Sequence, residues 1–145
     1  GIDAQREFLA SNGIRFQAQE AALDLQMVQD ETKFRQIVAN LLKNALTYRR
    51  NLLLIDLTCH KDFITLSVRD DGPGVSEDHH EKIFERYTQV TPFPGVTRSG
   101  HGLGLAVSRI LARSMDGDII LESQLGQGAV FRLKLPIKFD TDYRT

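Results

Sequence analysis

Two asparagines one helical turn apart, followed by two glycine-rich segments, are the residues of this sequence best suited to chemistry. Asn40 and Asn44 come first, Asp70-Asp71-Gly72-Pro73-Gly74 next, and Gly100-His101-Gly102-Leu103-Gly104-Leu105 last. An amide offers a carbonyl acceptor and NH2 donors. Two on adjacent turns suit a hydrated Mg2+, which takes oxygen ligands and keeps waters, and can order phosphate oxygens. The plainer reading is a pair of surface or capping amides. Asp70 ends a strand-like run and enters a Gly-Pro-Gly turn. Its carboxylate can accept from the exocyclic amine of a base, or bond its own backbone as turn aspartates do. In the second segment, Leu105 stands where the dinucleotide fingerprint needs its last glycine, and no Gly-Lys-Ser/Thr follows. A glycine-rich helix start that cradles phosphate, or a hinge before a helix, remains. His79-His80-Glu81 lacks the His-Glu-x-x-His spacing, and adjacent helical side chains diverge, so it reads as a solvated polar face.

The elements that must position these residues follow from periodicity. Residues 3–11 read as a short helix stopped by Asn12-Gly13, and Ile14–Gln17 and Leu23–Val28 as short strands. Asp30 or Thr32 caps a helix carrying Phe34, Ile37, Val38, Leu41, Leu42, Ala45 and Leu46 at helical spacing. Asn40 and Asn44 fall at one border of that stripe. Leu52–His60 and Phe63–Arg69 form a hairpin around Lys61-Asp62. Glu77–Arg86 is expected as a short helix, and Thr88–Ser99 as a loop of a length that is usually functional. The second glycine segment opens a helix through Met115, with Leu103, Val107, Ile110 and Leu111 as its expected buried face. Asp118–Ser123 and Ala129–Leu135 are strands joined by Gly126-Gln127-Gly128. Helices and strands mix without strict alternation, which predicts an α+β fold with helices on one face of a mixed, mostly antiparallel sheet.

Composition bounds the rest. A chain of 145 residues, 41% hydrophobic and 26% charged, is sized for one domain with a real core. A formal net charge of −1 gives no support to a nucleic-acid surface or a polybasic membrane surface. The single cysteine, Cys59, excludes a disulfide scaffold and favours a reducing, intracellular setting. It sits in a strand-like run, as a small core residue would. No apolar stretch reaches membrane-spanning length, and no signal peptide is visible. The start at Gly1, without an initiator methionine, reads as a piece of a longer protein.

Taken together, the motifs resemble the ATP-binding catalytic domain of sensor histidine protein kinases, within the superfamily shared with gyrase, heat-shock-90 chaperones and mismatch-repair ATPases. Asn40-Leu41-Leu42-Lys43-Asn44-Ala45 is similar to the N box of that family. Asp70-Asp71-Gly72-Pro73-Gly74-Val75 resembles its first glycine box, Ile83-Phe84-Glu85-Arg86-Tyr87 its F box, and Gly100–Leu105 its second glycine box. Gly126–Phe131 through Pro136 resembles its last hairpin. The likeness runs from about Gly13 to Pro136, and four boxes in order are far more specific than any one.

The resemblance implies a two-layer α/β sandwich of the Bergerat type. It divides the chain into residues 1–12, the end of an upstream linker or helix, 13–138, the ATP-binding domain, and 139–145, a polar tail. It implies ATP and Mg2+ as cofactors. Asp70 would contact the adenine amino group, and Gly72 and Gly74, with Val75 beside them, would let the chain pass close to the base. Asn44 would be the main protein ligand of Mg2+, with Asn40 near the phosphates and Tyr48 flanking the site. Gly100, His101, Gly102, Leu103, Gly104 and Leu105 form the phosphate end, where Gly102–Leu105 would present backbone N–H groups. Phe84 and Tyr87 would anchor a lid formed by Thr88–Ser99. ATPases of the superfamily carry glutamate where this chain has Asn40, and an amide cannot act as a general base at neutral pH. The implied reaction is therefore γ-phosphoryl transfer to a histidine, governed by positioning and charge stabilisation. The chain departs from the pattern at Thr47, where lysine is frequent, at Ser99 and at His101. None of His60, His79, His80 or His101 lies in a preceding dimerisation helix, so the acceptor histidine is expected on another segment or chain, with a response-regulator receiver domain downstream. A cytoplasmic location, compatible with a membrane-anchored parent, goes with this reading. The alternatives are a superfamily ATPase, a serine kinase of the anti-sigma type, or a nucleotide-binding interaction module without transfer activity.

Overall fold

The apolar stripe centred on Ile37 and Leu41 cannot face water on an isolated helix, so it needs a sheet to cover it. In the computed structural model, which describes residues 13–18, 31–85 and 104–137, that stripe belongs to helix α1 (Glu31–Tyr48), whose Ile37, Leu41 and Ala45 are buried. Strands β2 (Leu53–His60) and β3 (Phe63–Asp70) form the expected hairpin, from Leu53 opposite Asp70 to His60 opposite Phe63. Lys61 enters the left-handed region at φ 53° in the turn. Strand β5 (Ala129–Pro136) pairs antiparallel with β3, and β4 (Asp118–Ser123) antiparallel with β5. Strand β1 (Ile14–Ala18) joins β2 in the single parallel pairing of the described sheet. The order is β1-β2-β3-β5-β4.

Alternation along the strands decides which face is covered. Ile64, Leu66 and Val68 of β3 and Phe131, Leu133 and Leu135 of β5 are buried in one cluster with Ile37 and Leu41 of α1. Leu105 and Ala112 of helix α2 (Gly104–Ser114) join the same cluster. Both helices therefore pack on one face, as an α+β two-layer sandwich requires. Phe63, Arg69 and Lys134, on the opposite face, are exposed.

Three sequence expectations change. Glu77–Arg86 is not one helix: its described part forms two 3-10 turns, Glu77–His79 and Lys82–Phe84. The only apolar pair there, Ile83-Phe84, is adjacent rather than spaced by a turn, so no helical stripe exists to bury. The buried face of α2 is Leu105, Ala106, Ser108 and Ala112, whereas Val107 and Ile110 are exposed. Small residues let α2 approach α1 closely, and they carry too little hydrophobic signal to reveal that face. Leu46 is also exposed, at the end of the α1 stripe. The expected helix at 3–11, the strand Leu23–Val28, Tyr87 and the loop Thr88–Ser99 lie outside the described residues.

Candidate functional site

Helix α1 joins the two glycine segments. At its C-terminal end, the Tyr48 carbonyl lies against Gly72, where a Cβ would come within 2.3 Å of that oxygen. Two turns earlier, Asn40 Nδ2 donates to the Gly104 carbonyl at 3.2 Å and to Ser108 Oγ at 2.9 Å. Asn40 and Tyr48 are about 12 Å apart along the helix axis, a span on the scale of a nucleotide. The carboxylate of one motif and the helix start of the other thus stand at two ends of one helix face.

At the first end, β3 turns inward on its last residue. Asp70 is only 4% exposed, and its Oδ1 accepts from the Gly72 N–H at 2.9 Å. The turn bond expected of such an aspartate is therefore present, on a carboxylate that is buried. Burial pushes its pKa above the ordinary carboxylate value and the Asp71 charge adds to that, while the Gly72 N–H works in the opposite direction.

The glycines here serve internal packing first. Gly74 has φ +80°, and a Cβ on it would meet the Gln124 carbonyl at 2.2 Å. On Gly128, at φ +75°, a Cβ would lie 2.1 Å from the Asp70 carbonyl. The first glycine segment is thus clasped by the β4–β5 turn. Ser123 Oγ completes the clasp, accepting from Val75 N–H at 2.8 Å and donating to the Gly128 carbonyl at 2.7 Å. The expected polar face at His79-His80-Glu81 is partly occupied. His80 Nε2 bonds the Val75 carbonyl at 3.0 Å, and the His79 ring bonds Ser76 Oγ. Glu81 pairs with Arg109 at 3.0 Å.

Asn44 is half-buried on α1, and among the described residues its amide has no hydrogen-bond partner. Its donor chemistry fits Mg2+, which binds neutral and anionic oxygens and retains water. Thr47 spends its hydroxyl on its own helix, donating to the Lys43 carbonyl at 2.8 Å. Val75 and Tyr48 are half-buried, and Leu105 is buried. Phe84 is buried edge-on against Phe131, with centroids 6.2 Å apart. The Arg109 guanidinium lies 4.4 Å above the Phe84 ring. Tyr87, Gly100, His101, Gly102 and Leu103 lie outside the described residues. An open cleft of about 280 Å³ is lined by Glu81, Phe84, Glu85, Ala106, Arg109, Ile110 and Arg113. It contains only Phe84 of the nucleotide candidates.

Several contributing residues escaped the sequence reading. Asp71 Oδ1 accepts from three successive backbone N–H groups, Arg50, Asn51 and Leu52, at 2.9, 3.1 and 3.0 Å. These bonds, the Leu52 N–H first, hold its carboxyl below its ordinary pKa. They fix the exit of α1 onto the first glycine segment. Only the doubled aspartate hinted at a second role. Ser108 carried one faint signal, its position four residues after Gly104, where a helical hydroxyl can bond back.

Residues 29–138 match the family described as histidine kinase-, DNA gyrase B-, and HSP90-like ATPase. The sensor histidine kinase RppB of Synechocystis sp. is 34% identical over 110 residues, 74% of this chain and 24% of that protein. The aerobic respiration control sensor protein ArcB of Escherichia coli (strain K12) is 36% identical over 127 residues, 85% of this chain and 16% of that protein. The chain thus spans a quarter or less of these relatives. Among solved structures, the catalytic domain of histidine kinase ThkA superposes with a TM-score of 0.72 at 25% identity, covering 93% of this chain and 88% of that one. Full-length ShkA in complex with AMPPNP gives 0.67 at 29% identity, covering 93% of this chain and 28% of that one. The family match over residues 29–138, most of the length, makes the chain a member of the histidine kinase-, DNA gyrase B- and HSP90-like ATPase family.

Proposed function

We propose that this chain is the ATP-binding catalytic domain of a two-component sensor histidine kinase. In this reading it binds Mg-ATP and directs the γ-phosphoryl group to a histidine on a separate dimerisation domain. The observation that carries it is the bridge made by α1: a buried acceptor, Asp70, at one end and the start of α2, held by Asn40, at the other. The relatives RppB and ArcB are sensor kinases by name, and ShkA was solved with an ATP analogue.

Each residue then has a task. Asp70 accepts from the adenine amino group, with Gly72, Gly74 and Val75 forming the wall beside it. Asn44 offers its amide oxygen to Mg2+, which supplies charge neutralisation on the phosphates when bound. The backbone of Gly102–Leu105 donates to phosphate oxygens at a helix start. Phe84 and Tyr87 anchor the flank of Thr88–Ser99. Asn40 stands where a hydrolase needs a carboxylate, so no side chain there can take a proton from water at neutral pH. An imidazole nitrogen attacks the γ-phosphorus, the bond to the bridging oxygen breaks, and ADP leaves with that oxygen. The acceptor histidine and a downstream receiver domain belong to other segments or chains. Residues 13–138 form the nucleotide unit, after a linker or helix end at 1–12 and before a tail at 139–145. Cytoplasmic placement follows from the substrate, since ATP is an intracellular nucleotide.

The test pairs calorimetry with transfer in trans. Asn44→Asp and Asp70→Asn should each lower Mg-ATP affinity by about tenfold or more, the scale of a lost charge-assisted bond. Unchanged affinity in both variants would sink the reading. The wild-type chain should label a histidine-bearing helical domain with an acid-labile phosphate. Steady hydrolysis without a partner, or a phosphoserine product, would instead assign an ATPase or a serine kinase.

A further inference from the structure

We propose that His80 is a positioning residue for nucleotide binding: its ring holds the Val75 carbonyl and so fixes the wall that runs from Gly72 to Val75 at the base end. The proposal rests on the nucleotide reading above, in which Val75 lies beside the base.

Val75 stands past the end of β3, outside the ladder of the sheet. It is half-buried, and a backbone N–H or C=O withdrawn from water needs a partner. Both partners here are side chains. Ser123 Oγ, at the end of β4, accepts from the N–H at 2.8 Å. His80 Nε2 bonds the carbonyl at 3.0 Å. A carbonyl only accepts, so Nε2 carries the proton in this bond. The β4–β5 turn holds the preceding residues as well, since the Gly126 N–H donates to the Pro73 carbonyl at 2.7 Å. His80 adds a hold on the same segment from a different element, the 3-10 turns.

The ring can act as a support because its own backbone is fixed. The His80 N–H donates to the Glu77 carbonyl at 3.2 Å and closes the first 3-10 turn. The second turn follows directly, with the Phe84 N–H on the Glu81 carbonyl at 3.1 Å, and carries the buried Ile83 and Phe84. Both neighbours are tied too, His79 to Ser76 Oγ and Glu81 to Arg109. The triplet His79-His80-Glu81, which lacks the spacing of a metal site, thus braces the base wall against a segment anchored in the core at Phe84. Removing the His80 donor leaves the Val75 carbonyl without this partner and frees the wall to shift relative to Asp70. The phosphate end, where Asn40 meets Gly104, is held by other contacts. Loss of His80 should therefore weaken nucleotide binding by the same factor with and without Mg2+.

The test is calorimetric titration of the 145-residue chain with AMPPNP, in Mg2+ and in EDTA, beside urea denaturation. His80→Met keeps the bulk and removes the donor. It should lose about three- to tenfold of affinity in both conditions, the worth of one neutral hydrogen bond. His80→Gln, which offers an amide N–H at similar reach, should stay within about twofold of wild type. A residue that only supported the fold would lower the urea midpoint of His80→Met and leave its affinity unchanged, and that result would overturn the proposal. So would a His80→Gln variant as weak as His80→Met, or a loss confined to Mg2+. A second measurement needs no variant: the ring nitrogen signals of wild-type His80 should report a proton on Nε2, and a ring protonated on Nδ1 alone would overturn the proposal. If the wild type binds AMPPNP and His80→Met matches it, the His80 assignment falls and the ATP site stands. If the wild type binds no AMPPNP in either condition, both fall together.

Discussion

Asp70, the residue proposed to accept from the base, is costly to the fold. Its folded pKa is raised, chiefly by burial. Its contribution to stability is therefore fully present below the ordinary carboxylate value and is lost as pH rises through the raised one. At pH 7, above the ordinary carboxylate value, the raised pKa works against folding. Asp70→Asn can still accept from the Gly72 N–H through its amide oxygen, so its urea midpoint at pH 7 should match or exceed wild type while Mg-ATP affinity falls. The glycines separate in the same way. Gly74→Ala must place a methyl against the Gln124 carbonyl in a left-handed conformation, whereas Gly126, at φ +84°, has nothing within 4 Å of a Cβ. Gly126→Ala should cost roughly 1–2 kcal/mol of αL strain, and Gly74→Ala clearly more, both read by urea denaturation. Asn40, Asn44 and Asp70 stand out in the sequence because their residue types and spacing suit a ligand. Asp71 and Ser108 were not, because their partners lie 19 to 21 and 68 residues away.

Elements meet at Arg109. Arg109 reaches from α2 to Glu81 beside the 3-10 turns, to Asp118 of β4 at 3.3 Å, and over the face of Phe84. Its side chain is 17% exposed, so these contacts are less screened than surface pairs. Arg109→Met keeps much of the stem and removes the charge. It should lower stability by about 1–2 kcal/mol and make Phe84 more accessible, seen as faster hydrogen exchange at Ile83 and Phe84. At this scale the hairpin was legible to within a residue and α1 as an amphipathic helix, since each carries its own period: two for Phe63–Asp70, and three to four for Ile37–Ala45. The 3-10 turns and the buried side of α2 were not. Ala106, Ser108 and Ala112 are buried because α1 lies against them, a fact that their own hydrophobicity cannot announce.

At the scale of the whole molecule, three carboxyls among the described residues sit below their ordinary pKa: Asp71, Asp118 and Glu122. Asp71 is held by backbone N–H groups, Leu52 first, and Glu122 by Arg132. Asp118 is opposed by burial, but the Ile119 N–H together with Arg113 and Arg109 prevails. Their stabilisation is present above the unfolded carboxylate values and is lost as pH falls through the lowered ones. The thermal midpoint should therefore drop steeply on the acid side of about pH 4, and the double variant Asp71→Asn, Asp118→Asn should flatten that drop while lowering stability at pH 7. A variant that kept the full acid dependence would place its origin elsewhere. The sequence by itself determined the order of the boxes, the amphipathic face of α1 and the hairpin, because those rest on local spacing and residue type. Only the tertiary structure decided that α1 joins both glycine segments, that Gly74 and Gly128 clasp each other's neighbours, and that the Asn40 amide nitrogen meets Gly104 and Ser108 of α2. Those are contacts between distant segments, and a hydrogen bond is settled by where the two chains meet, not by either chain alone.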